Sequence, residues 1–228
     1  MKKIILITLT IITVLTLSAC NNRIAKIASK PVTRVRFIHD APESYNVNLQ
    51  TLDYLEYLSF NNPIVTVKID QLGEIKIQLF PEVAPNTVNS FIKYIQDEAY
   101  TSNEFHRVVT GFMIQAGRLV DPSCTIQGEM ANNEISNDLS HVKGVVSMAR
   151  LGGNYDSGSS QFFIVAAAAL FLDNEYAGFG GVVDGFYIVD YLASLQSEYS
   201  ESPVVPIIIE SITVDLRGYT PQVPICVE

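Results

Sequence analysis

Between residues 64 and 215 the chain reads as short apolar runs broken by glycine, proline and asparagine turns. Ile64 to Ile69 is rich in β-branched residues, and from Glu74 onward Ile75, Ile77 and Leu79 alternate with Lys76 and Gln78. Period-two alternation marks a strand with one buried face, and Asp70-Gln71-Leu72-Gly73 between the two runs reads as a hairpin turn. The period then changes. After Pro85-Asn86-Thr87, where proline suits a first helical turn, Val88, Phe91, Ile92 and Ile95 recur at i, i+3, i+4 and i+7. That spacing predicts a helix laying one stripe on a core. Further strands are expected over 105–109, 112–116, 144–148, 161–165, 178–183 and 207–215, with a second helix over 186–195. Many short strands with glycine-rich turns indicate an all-β barrel or sandwich.

The front end has a different texture. Lys2-Lys3 precede sixteen uncharged residues, Ile4 to Ala19, and then Cys20. A basic start, an apolar stretch and a small-residue cleavage site make a secretory signal peptide over 1–19. The apolar stretch is shorter than the roughly 20 residues a spanning helix needs. Leu17-Ser18-Ala19-Cys20 resembles the bacterial lipobox, in which the cysteine is lipidated and becomes the new N-terminus. The expected location is therefore the extracytoplasmic face of a bacterial envelope, tethered to the membrane through Cys20. Residues 20–60 lack sustained periodicity and read as a tether, with one short helix over 51–58 that places Leu52, Leu55 and Leu58 on one side.

Composition narrows the partners. The formal charge is −9; removing residues 1–19 takes away two lysines and no acids, giving −11. A surface that acidic argues against nucleic acid and against electrostatic docking on anionic lipid. Cys124 and Cys226 stand about a hundred residues apart, which is no disulfide framework. An exported protein could pair them, but they read as two separate thiols. His39, His106 and His141 are scattered and lack metal-ligand spacing with the cysteines, so no metal is expected. The glycines from 152 to 158 form a turn without phosphate-loop spacing, and no cofactor is expected.

Candidate chemistry concentrates in Phe105 to Gly117. Arg107 and Gln115 lie within nine residues of Phe112 and Met113. A guanidinium offers five donors in a rigid fork and keeps its charge. Beside an apolar slot, with no nucleophile, it suggests a site that binds and polarises rather than one that cuts. Period two puts Met113 and Gln115 on one face of their strand, and Gln161 and Phe163 on one face of theirs. Taken singly, each has a plainer reading: an arginine in a strand is usually a surface charge, and Phe112, Met113, Phe163 and Leu172 are core by default.

Four blocks taken together point further. Phe105-His106-Arg107 with Gly111-Phe112-Met113-Ile114-Gln115, then Gly144-Val145-Val146-Ser147-Met148-Ala149-Arg150, then Gly158-Ser159-Ser160-Gln161-Phe162-Phe163-Ile164, then Phe171-Leu172-Asp173 with Tyr176-Ala177-Gly178-Phe179-Gly180 resemble, in order and spacing, the signature blocks of cyclophilins. The resemblance covers residues 61–217, leaving 218–228 as a C-terminal extension. It implies a mainly-β fold, an eight-stranded antiparallel closed barrel capped by two α-helices, and peptidyl-prolyl cis-trans isomerase activity on proline-containing polypeptides. We expect a monomer. The resemblance assigns Arg107 as the catalytic arginine and Phe112, Met113, Gln115, Gln161 and Phe163 as site residues. It places Ala149 and Arg150 on the segment whose backbone binds the residue before proline. Phe171, Leu172 and Tyr176 complete the pocket, and His106 is left as a structural histidine. The alternative is a non-catalytic proline-binding chaperone or scaffold lipoprotein that keeps the slot without turnover.

Overall fold

The computed structural model describes residues 45, 48–195 and 201–227. The expected signal peptide, Cys20 and most of the expected tether lie outside the described residues. The predicted periodicities appear as β1 (Ile64–Ile69), β2 (Gly73–Leu79), α1 (Pro85–Gln96), β3 (Arg107–Val109), β4 (Met113–Ala116), β5 (Val145–Met148), β6 (Phe162–Val165), β7 (Gly178–Asp184), α2 (Phe186–Ser194) and β8 (Ile209–Asp215). The strands form one antiparallel sheet in the order β3-β4-β6-β5-β7-β2-β1-β8. Alternate residues Val65, Val67, Ile75, Ile77, Ile114, Phe162 and Ile164 are fully buried in a single core. The α1 stripe joins them: Phe91 sets its ring edge against Phe162 at 5.0 Å and Phe179 at 5.1 Å.

"Closed" overstates the barrel. β3 and β8 are the two edges of the sheet, and no ladder joins them among the described residues. The expected strand over 105–109 begins only at Arg107, because Phe105 and its neighbours bond across the gap instead. Glu104 and Ile208 form an isolated bridge. The Phe105 N–H donates to Ile207 O at 2.9 Å, Ile209 N–H to Asn103 O at 2.8 Å, and Val108 N–H to Glu201 O at 2.8 Å. The result is a curled half-barrel whose edges are stitched by the segment 201–209.

The folded body also begins before residue 61. The expected helix over 51–58 is instead two single 3-10 turns, Leu49–Thr51 and Leu55–Tyr57. Leu55 is exposed, while Tyr54, one position earlier, is the residue that enters the core. Its hydroxyl donates to Val182 O at 2.6 Å, and its ring lies so close on Gly181 that a Cβ there would collide with it. The helical reading followed the leucines. The chain follows the tyrosine, because a buried hydroxyl needs a partner and the β7 backbone supplies one.

The cysteines are not two thiols. Cys124 and Cys226 form a disulfide with Cα atoms 5.5 Å apart. Spacing along the sequence says nothing about it, because residues 218–227 turn back over α1. Tyr219 donates its hydroxyl to Asn89, and Asn86 exchanges hydrogen bonds with the backbone of Ile225 at 2.9 and 2.8 Å. The helix itself has no side-chain cap at Ala84. Buried Glu129 takes that role from a distance, accepting from the Asn86 and Thr87 N–H groups at 3.0 and 2.7 Å, which satisfies donors that a helix start leaves open.

Candidate active site

β3, β4 and β6 are neighbours in the sheet, so register decides which side chains meet on its outer face. Arg107 pairs with Gln115 and Gln115 with Phe163, while Met113 pairs with Val165. Met113, Phe163, Val165, Ala169 and Leu172 then form a small apolar cluster separate from the main core. Their strand neighbours Ile114, Ala116, Phe162 and Ile164 face the other way into that core. Alternation therefore builds two hydrophobic bodies on opposite faces of the same strands.

The smaller cluster floors a cleft of about 370 Å³, lined by Arg107, Phe112, Met113, Gln115, Ala149, Arg150, Phe163, Phe171, Leu172 and Tyr176. These are ten of the eleven site residues expected from sequence. The eleventh, Gln161, sits just behind the lining and accepts the Gln115 amide at 2.9 Å. Phe112 and Phe171 make the rim, with ring centroids 5.5 Å apart; Phe171 is exposed.

Arg107 is held by two of its nitrogens. Nε donates to the Glu201 carboxylate at 2.5 Å and Nη1 to Gln115 Oε1 at 3.1 Å. Because Gln115 accepts with its oxygen, its amide nitrogen is turned toward Gln161, and the three residues form one directed relay. The arginine and Glu201 side chains are 39% and 44% exposed, so as a stabilising ion pair they contribute at most about 1 kcal/mol. His106, next to this relay, is buried, and its ring nitrogens meet no well-aligned hydrogen-bond partner among the described residues. Burial first, and the Arg118 charge second, push its pKa down to about 4.

The opposite wall is held by loops. The Arg150 side chain is only 7% exposed, although its position was read as one that matters through its backbone. Its guanidinium lies between the rings of Tyr155 and Tyr176, 4.7 and 4.6 Å from their centroids. It donates to Glu175 O at 2.9 Å, to the Glu175 carboxylate at 2.8 Å and to Leu151 O at 3.1 Å. One arginine thus ties the 149–151 segment to the loop carrying Leu172 and Tyr176. A second peg is His141, whose ring nitrogens meet Asp173 at 2.9 Å and Ser147 at 3.0 Å. Its ring stacks on Phe163 with centroids 6.2 Å apart. Ser147 and His141 are wholly buried, so this serine–histidine–aspartate set is scaffolding, closed to any substrate.

With this geometry in place, comparison with known proteins is decisive. Residues 64–214 match the family model described as cyclophilin type peptidyl-prolyl cis-trans isomerase/CLD. The chain belongs to that family. It is 36% identical over 152 residues to peptidyl-prolyl cis-trans isomerase A of Dickeya dadantii, covering 62% of this chain and 80% of that protein. It is 39% identical over 163 residues to peptidyl-prolyl cis-trans isomerase-like 3 of Gallus gallus, covering 68% of this chain and 98% of that one. Among solved structures it resembles a Cryptosporidium parvum cyclophilin type peptidyl-prolyl cis-trans isomerase crystallised in the presence of the dipeptide Ala-Pro, with TM-score 0.60 and 26% identity over 67% of this chain and 98% of that one.

Within this cyclophilin frame, sequence reasoning missed Glu201, Glu175, His141 and Asp173. Glu201 is 94 residues from the arginine it holds, and nothing local marks it. His141 lies just before one signature block and Asp173 inside another, a faint signal, but their meeting depends on how the loops fold back.

Proposed function

We propose that this cyclophilin-family chain accelerates rotation about X-Pro bonds in exported polypeptides at a membrane surface, with Arg107 as the assisting donor. An X-Pro amide turns over slowly because its C–N bond is partly double, with a barrier of about 18–20 kcal/mol. Lowering that barrier needs neither proton transfer nor a covalent intermediate. As the bond twists, the proline nitrogen becomes pyramidal and its lone pair becomes available. A donor aimed there binds the twisted amide better than either planar isomer, which is catalysis by differential binding.

The observation that carries this reading is the placement of Arg107. It stands at the edge of a cleft of about 370 Å³ with an apolar floor, room for a proline and its flanking residues, held by Nε and Nη1, with Nη2 unbonded among the described residues. Met113, Phe163 and Leu172 would receive the ring, while Gln115 and the Ala149–Arg150 backbone hold the flanking chain so that only one bond rotates. A charge-assisted hydrogen bond is worth roughly 1.5–3 kcal/mol, or one to two decades of rate at about 1.4 kcal/mol per decade. The rest of the acceleration comes from the apolar slot and the fixed flanks.

The test is turnover of a short X-Pro peptide by the purified protein and by Arg107→Ala. We expect the variant to lose about 10- to 100-fold in kcat/KM with unchanged thermal stability. A variant as fast as the parent would remove the arginine from the mechanism.

The export reading rests on the signal-like front end and on the Cys124–Cys226 disulfide, a bond at home in oxidising compartments. Anchoring rests on the lipobox-like Leu17-Ser18-Ala19-Cys20. Cell fractionation of Cys20→Ser checks it, and the expected result is loss of the protein from the membrane fraction.

A further inference from the structure

We infer that Glu201 is the positioning residue for Arg107; the inference rests on the arginine-assisted reading above. Glu201 meets the first two residues of β3, one through its side chain and one through its backbone. Its carboxylate takes the Arg107 Nε hydrogen at 2.5 Å. Its backbone carbonyl accepts the N–H of Val108, the next residue of β3, at 2.8 Å. Its own backbone is left-handed, with φ of 63°, a conformation that side-chain-bearing residues seldom adopt. The chain thus accepts a strained turn at the open edge of the sheet, and in doing so aims a carboxylate along β3.

The ion pair is too exposed to matter much for stability, so its effect falls on where the guanidinium sits. Arginine has a long, rotatable stem. Gln115 alone fixes one nitrogen and leaves the plane of the fork free to swing about that contact. A second bond at Nε fixes the plane of the fork beside the cleft that Arg107 lines. Glu201 makes no contribution to the apolar floor that binds proline, so its influence should be felt in the twisted state, where Arg107 acts.

The experiment compares peptide turnover and melting temperature for the parent protein, Glu201→Ala, Glu201→Gln and Arg107→Ala. Glu201→Ala is expected to lower kcat about tenfold, or about 1.4 kcal/mol, with KM and melting temperature little changed. Glu201→Gln keeps an oxygen that accepts from Nε and is expected to recover most of the rate. If Glu201→Ala is as fast as the parent, or faster, while Arg107→Ala is slow, the positioning role is overturned and the arginine mechanism stands. Equal losses in the alanine and glutamine variants overturn it too, since charge rather than held geometry would then decide. If Arg107→Ala is itself as fast as the parent, the arginine mechanism falls and this inference falls with it.

Discussion

The two walls of the cleft are built in opposite ways. The strand wall, Arg107, Met113, Gln115 and Phe163, takes its geometry from the register of β3, β4 and β6. The loop wall, Ala149, Arg150, Leu172 and Tyr176, has no ladder of its own and is held by two polar pegs, Arg150 and His141. A sheet positions side chains through many repeated bonds, so no single one is critical. A loop positioned by one buried cation depends on that cation. Apart from the Arg107 guanidinium, which Glu201 and Gln115 hold, the strand wall should therefore fail by loss of packing, and the loop wall by loss of a specific contact.

Phe163 is the place to break both at once, because it belongs to β6 yet stacks on His141 and meets the Tyr176 ring edge-on at 5.6 Å. Phe163→Ala should cost about 3–5 kcal/mol, as for other buried aromatics, and denaturant unfolding would measure it. Arg150→Ala comes next, at roughly 1–2 kcal/mol, because it leaves the Glu175 carbonyl without its donor, while Asn132 still donates to the carboxylate. Its signature is a raised KM with kcat nearly intact, since the strand wall keeps its arginine; steady-state kinetics separate the two.

Acid sharpens the contrast further. His106 beside the strand wall stays neutral down to about pH 4, while the unfolded chain's histidine takes a proton near 6.5. Below 6.5 the unfolded state then binds more protons, so stability falls as the pH drops. By pH 5 this one residue should cost about 2 kcal/mol, and above pH 7 nothing. His141 also has a lowered pKa, from burial partly offset by Asp173, so the loop wall shares the direction. His106→Gln should flatten the decline in denaturation midpoint between pH 7 and 5; an identical slope in parent and variant would exclude His106 as its source.

The same division separates what the sequence displays from what it hides. Alternation in 113–116 and 161–165 exposes the strand wall directly, because period two is a property of consecutive residues. Helix α1 is just as visible through Val88, Phe91, Ile92 and Ile95. The loop-wall residues were named only through resemblance to a family, and the side-chain role of Arg150 was hidden even then, since its partners at 155, 175 and 176 follow no period. Tyr54 was hidden for a related reason: leucines at helical spacing outweighed one tyrosine whose hydroxyl needed a carbonyl 128 residues away. The join between the sheet edges depends on 201–209 crossing to β3, a long-range event with no local signature.

The disulfide has a topological consequence. Cys124 and Cys226 stand 102 positions apart, and their bond closes a covalent loop that contains the entire loop wall, β5 to β8 and α2. Arg107, Phe112, Met113 and Gln115 lie outside it. A protease cutting the exposed turn Gly152-Gly153-Asn154 would open the loop without releasing a fragment, and the nicked molecule would run as one species until reduced. A cut before residue 124 has no such tether. The loop wall, which has no ladder of its own, is thus enclosed by a second covalent path.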